Sequence, residues 1–188
     1  MKKDTSNTKN RLLKTISRLF HNRGYQITGV NEIVKESGVV KSSLYHHYPS
    51  KQEMAVAYLE HRQHAWFQRV NECIASAELI EDKVLAVFDL IGQLNSEENY
   101  AGCSFLKLQC EASGTDTEIL EAIQKFKTDQ RKFFTQLLKP TTINADAIYL
   151  LFEGAVTESY FFKTNTPLNT AKLLIHSIFN TREIAPIQ

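Results

Sequence analysis

From Thr8 to Arg23 the apolar residues Leu12, Leu13, Ile16, Leu19 and Phe20 recur at three- and four-residue intervals, the spacing that gathers side chains on one face of an α-helix. Gly24 follows the series, where a left-handed backbone ends a helix at no steric cost. A second, shorter helix is expected to open with Thr28 as N-cap, to turn Val30, Ile33 and Val34 inward, and to stop at Gly38. A third runs from about Val40 to Tyr48 and is cut off by Pro49. Ser50-Lys51-Gln52-Glu53 then has the form of a capping box, so a fourth helix starts there.

Beyond residue 51 there is no alternating strand pattern of any length. Amphipathic helical windows follow one another instead: Met54 to Ile74, about Asp82 to Leu94, about Cys103 to Ala112, about Glu118 to Leu138, about Ala145 to Phe162 and about Leu168 to Phe179. Turn signals separate them at Asn95-Ser96, Ser113-Gly114-Thr115, Lys139-Pro140 and Thr164 to Pro167. The expected fold class is all-α, with three helices in residues 1–50 and six in residues 51–188.

The third helix is too short to be stable alone, since isolated helices below about 12 residues are marginal in water. It must be held by neighbours and kept for what its outer face touches. Gly38-Val39-Val40 is too short a turn to let the second and third helices lie antiparallel, which is the helix-turn-helix arrangement. With Val39, Leu44 and Tyr48 inward, the outer face carries Lys41, Ser42, Ser43, Tyr45, His46 and His47. These donors and acceptors suit groove edges and phosphates, and one groove crossing needs only about two turns of helix.

Charge points the same way. Residues 1–51 hold ten Lys or Arg against three Asp or Glu, whereas residues 52–188 hold twelve against eighteen; a net charge of +1 therefore conceals a cationic first quarter on an anionic body. Such a split predicts a polyanion as partner for that end. With 43% hydrophobic and 23% charged residues the chain has the composition of an ordinary globular protein. No run suits a bilayer and the N-terminus lacks an apolar leader segment, so no membrane partner is expected and the cytoplasm is the expected location. Cys73, Cys103 and Cys110 are odd in number and lack metal-ligand spacing, which predicts free thiols, no metal and no cofactor.

The segment LFHNRGYQITGVNEIVKESGVVKSSLYHHYPSKQEM resembles the DNA-binding module of the TetR family of transcriptional regulators. A Gly-Tyr after the first helix, Thr28, Ile33, Gly38-Val39, Leu44-Tyr45, Tyr48 and Ser50-Lys51 carry the likeness. AGCSFLKLQCEAS is similar to a Gly-Cys-initiated helix of one branch of that family. Two positions depart from its pattern: Val40 stands where a Ser or Thr often caps the recognition helix, and Ser42 where a smaller residue is frequent. The resemblance implies a DNA-binding module at 1–50, an effector-binding and dimerisation domain at 51–188, a homodimer on a palindromic operator in double-stranded DNA, and release by a small-molecule effector.

Thr28, Tyr48 and Lys51 are then expected to touch phosphates, and Lys41, Ser42, Ser43, Tyr45 and His46 base edges or the phosphates lining the groove. Trp66, Phe67, Phe105, Phe126, Tyr149 and Phe152 are the expected lining of an effector cavity. Ile148, Leu151, Ala155, Leu174 and Ile178 resemble the dimer face. Cys103, after Gly102 and one turn from Lys107, is a candidate redox or electrophile sensor, because a helix N-terminus and a nearby ammonium both favour the thiolate. Cys110 is about 10 Å further along the helix, too far for a bridge. His61 and His64 supply two ligands at most, short of a metal site. The rival readings are a helical interaction protein with a degenerate helix-turn-helix, and a Cys-dependent helical enzyme. The second lacks a Cys–His relay, a phosphate loop and paired carboxylates, so no enzyme is expected.

Overall fold

A computed structural model describes residues 3–181 of the chain, with side chains from residue 7 onward. Among the described residues there are nine helices and no strand: α1 (Lys3–Arg23), α2 (Val30–Ser37), α3 (Lys41–His47), α4 (Lys51–Ile74), α5 (Ile80–Glu97), α6 (Ser104–Glu111), α7 (Thr117–Leu138), α8 (Ala145–Phe162) and α9 (Thr166–Asn180). The all-α reading holds, and most boundaries lie within three residues of the sequence signals. α1 begins earlier than Thr8.

The punctuation acts largely as the side-chain chemistry requires. Gly24 (φ 101°) and Gly38 (φ 62°) take the left-handed conformation that follows α1 and α2, and their amides close the last turns on Phe20 and Val34. Ser50 Oγ accepts the Glu53 amide at 3.0 Å at the start of α4. Asn144 Oδ1 takes the amides of Asp146 and Ala147 at the start of α8. One assignment is corrected: the N-cap of α2 is Gly29, with no side-chain cap. Thr28 is fully buried and its hydroxyl donates to the Gly24 carbonyl at 2.7 Å, closing the α1–α2 turn.

The chain forms two compact units that do not follow a division at residue 50. One comprises residues up to His64 together with Ser104–Phe126; the other comprises Ala65–Cys103 and the residues from Lys127 on. In the first, Leu12, Ile16, Phe20, Ile33, Leu44 and Tyr58 are among the buried side chains, and Phe20 meets Tyr25 and Tyr58 edge to face at 5.5 and 6.0 Å. This burial, about 1.5–3 kcal/mol for each large apolar side chain, is what holds the seven-residue α3 in place.

The second unit packs α5, α8 and α9 with the later parts of α4 and α7 around Phe88, Phe134, Phe152, Leu168 and Ile175. Phe152 is the hub, with Phe88 at 5.5 Å and Phe134 at 5.3 Å between ring centroids.

Candidate nucleic-acid interface and regulatory site

The hydrophobic side of α3 sorts its side chains. Leu44 and Tyr48 face inward; Lys41, Ser42, Tyr45 and His46 are exposed, and Ser43 and His47 are half-buried. A single exposed face therefore presents an ammonium, hydroxyls, a phenol and an imidazole. Val40, the N-cap of α3, supplies no side-chain cap and is 67% exposed. Ion pairs of Arg18 with Glu36 (2.9 Å) and of Arg23 with Glu32 brace α1 against α2 behind this face.

Three expected phosphate contacts are placed differently. Thr28 spends its hydroxyl on Gly24. Tyr48 is only 4% exposed; its hydroxyl is enclosed without a hydrogen-bond partner, and burial pushes its pKa up. Lys51 Nζ donates to the Gln26 carbonyl at 3.2 Å and lies 4.6 Å from the centre of the Tyr25 ring. Burial lowers the Lys51 pKa, opposed by the carboxylates of Glu111 and Asp116. In this conformation Lys51 therefore ties α4 to the α1–α2 turn.

That turn is gripped from a second side by α6. Glu111 Oε2 accepts the Gln26 amide at 2.7 Å, and Gln26 Nε2 donates to the Glu111 carbonyl at 2.9 Å. Lys107 Nζ donates to the His21 carbonyl at 2.7 Å, satisfying an acceptor in the last turn of α1. Tyr58 donates to Ser104 Oγ at 2.8 Å, and His21 Nδ1 lies 3.3 Å from both hydroxyls. Ser104, Lys107 and Glu111 recur at helical spacing and form one polar stripe. Sequence reasoning missed this clasp, because Glu111 and Gln26 lie 85 residues apart.

Lys107, the expected neighbour of Cys103, donates to the His21 carbonyl. Burial depresses the Lys127 pKa, but Cys103, Glu153 and Tyr149 act the other way, so that its pKa is raised overall. Lys127 Nζ donates to both Glu153 carboxylate oxygens, at 2.8 and 2.7 Å. Upstream of Cys103, Asn99, Tyr100 and Gly102 all have positive φ, and a Cβ at Gly102 would come within 2.5 Å of the Tyr160 ring. Cys103 is half-buried, just ahead of α6, and all three cysteines are free thiols.

The six aromatics assigned to an effector cavity are divided between the two units. Phe105 and Phe126 stack on each other at 3.7 Å in the first unit. Trp66, Phe67, Tyr149 and Phe152 belong to the second; Trp66 meets Phe67 at 4.8 Å and Phe152 at 6.4 Å, while Tyr149 lies 6.1 Å from Phe134. Tyr149 and Phe152 are buried core residues. A cleft of about 650 Å³ in the second unit is lined by Asp89 and Gly92 of α5, by Asn165 ahead of α9 and by Lys172 of α9.

On α8 and α9 the outward apolar side is richer than expected. Leu150, Phe161, Phe162 and Leu173 are strongly exposed, and Leu174 and Ile178 partly so. Leu150, Leu151, Ala155 and Leu174 line a cleft of about 660 Å³, and Leu151, Leu174 and Ile178 another of about 560 Å³. Two of the expected dimer residues are buried in the core, Ile148 fully and Ala155 at 6% exposure, although Ala155 also borders the first cleft. The doublets Leu150-Leu151 and Leu173-Leu174 were the available signal, since adjacent helical residues point about 100° apart and a narrow core stripe cannot take both.

The helix-turn-helix with its exposed, hydrogen-bonding third helix defines the class: a DNA-binding regulator. Residues 12–58 match the family model for bacterial regulatory proteins of the tetR family. The HTH-type transcriptional regulator YxaF of Bacillus subtilis is 30% identical over 173 residues, covering 86% of this chain and 89% of that protein. The HTH-type transcriptional repressor NemR of Escherichia coli K12 is 28% identical over 188 residues, covering 93% of this chain and 94% of that one. The crystal structure of E. coli NemR in its reduced form superposes with a TM-score of 0.80 at 27% identity, over 92% of this chain and 97% of that chain. The chain belongs to the TetR family of transcriptional regulators, which are DNA-binding proteins and not enzymes.

Proposed function

We propose that this regulator is a repressor that binds a palindromic operator as a homodimer and leaves it when an effector binds or when Cys103 is modified. The carrying observation is the exposed row Lys41, Ser42, Tyr45 and His46 on a helix held from behind by Leu44 and Tyr48. Residues 1–50 hold the DNA-reading surface, and residues 51–188 the effector and dimer functions. The exposed apolar side of α8 and α9 supports dimerisation through Leu151, Leu174 and Ile178, with Leu150 and Leu173 added, Ala155 at the floor of the cleft and Ile148 removed. Two symmetric copies of α3 then read half-sites about one helical turn apart.

The half-exposure of Cys103 and its position one residue before α6 support the sensing role. Modification there alters the start of the helix that holds the α1–α2 turn. Release takes a few kcal/mol of differential affinity between the two states. Fluorescence anisotropy on duplexes from the DNA flanking the protein's own coding region tests both parts. Tight, salt-sensitive binding that N-ethylmaleimide abolishes in the native protein and spares in Cys103→Ser is expected. Absence of binding to any duplex at low salt overturns the repressor function; an unchanged response of Cys103→Ser overturns the sensor.

A further inference from the structure

We propose that Val40 is a specificity-determining residue that reads the 5-methyl group of a thymine in each half of the operator. The proposal rests on the DNA-binding function above and goes beyond it by naming the residue and the base. Val40 is the N-cap of α3, and the N-terminal residues of a recognition helix are those that approach base edges in the major groove. Its side chain is 67% exposed, next to exposed Lys41 and Ser42.

Stability does not account for a valine there. It offers no cap hydrogen bond, it contributes nothing to the core, and it leaves a branched apolar group in water. The thymine methyl is the apolar feature of the major groove, and contact with an apolar side chain is how proteins read it. Burying one methyl-sized group corresponds to about a four-fold change in affinity, hence about fifteen-fold for two half-sites. Ile27 is similarly exposed, at 72%, but lies in the α1–α2 turn and not on the recognition helix, so it serves as an internal control.

The test begins with operators selected by the full-length protein from a random duplex pool. Each thymine is then replaced by uracil, which removes only the 5-methyl group. One symmetric pair of thymines is expected to lose about fifteen-fold affinity on replacement. That loss should vanish in Val40→Ser, which restores a cap hydroxyl and so favours folding, and persist in Ile27→Ser. A flat uracil profile with the native protein, or an unchanged thymine-to-uracil ratio in Val40→Ser, overturns the inference while leaving DNA binding intact. Enrichment of no duplex overturns both.

Discussion

The carboxylate of Glu111 accepts the backbone amide of Gln26 at 2.7 Å, joining the end of α6 to the turn that launches α2. Gly24 makes room for it: a Cβ at that position would lie 2.9 Å from Glu111 Oε1, in a backbone already at φ 101°. Glu111→Ala leaves the exposed Gln26 amide to water in place of its charged acceptor and is expected to cost about 0.5–1.5 kcal/mol. Thermal unfolding measures the loss, and operator affinity should fall with it because the turn sets the placement of α2 and α3. An unchanged melting temperature would mean that water replaces the carboxylate at no cost.

Lys41 and Lys51 should separate cleanly. Lys41 is exposed on the recognition helix, so Lys41→Ala should weaken DNA binding and reduce the slope of log affinity against log salt by about one per half-site. Lys51 is engaged with the Gln26 carbonyl and the Tyr25 ring. Lys51→Met should lower stability and leave the salt slope nearly unchanged. A slope that falls equally in both variants would assign Lys51 to a phosphate.

Tyr48→Phe removes a buried hydroxyl that has no hydrogen-bond partner. Relieving such a group is neutral or stabilising by up to about 1–3 kcal/mol. Chemical denaturation should show an equal or higher midpoint, with operator affinity unchanged. A drop in affinity at equal stability would reveal a phenol–phosphate contact in the complex.

Leu173 is 72% exposed and Leu174 is 49% exposed on α9. Leu173→Glu and Leu174→Glu place carboxylates on the proposed dimer face without touching the core. Sedimentation should find monomers at concentrations where the native protein is dimeric, and operator affinity should collapse because each half-site then binds alone. Dimers that survive both substitutions would locate the interface elsewhere.

The Lys127–Glu153 pair sets a pH signature. Lys127 has a folded pKa raised above its ordinary 10.5, so its contribution is fully present below pH 10.5 and disappears as pH rises through the folded value. Lys127→Met leaves the Glu153 carboxylate without its ammonium and should cost about 1–3 kcal/mol at neutral pH. Denaturation midpoints of the native and Lys127→Met proteins should therefore converge only above pH 10.5. Convergence at lower pH would show that the pair does not hold the ammonium in the folded state.

Local chemistry written in the chain was enough to define the nine helices, the two left-handed glycines that follow α1 and α2, the Ser50 cap and the outward face of α3. Periodicity and capping act within a few residues, so they can be read from neighbours in sequence. Where a side chain had two uses, tertiary packing made the choice. Thr28, Tyr48 and Lys51 carry groups fit for phosphate, yet the enclosure of the α1–α2 turn and of the inner side of α3 turned all three toward the protein. Contacts between segments 85 residues apart, as in the Glu111–Gln26 clasp, leave no periodic trace. Whether an aromatic packs or lines a cavity, and whether Ile148 or Leu150 faces solvent, depends on which side of a helix meets a neighbour, and that orientation is decided only when the helices pack.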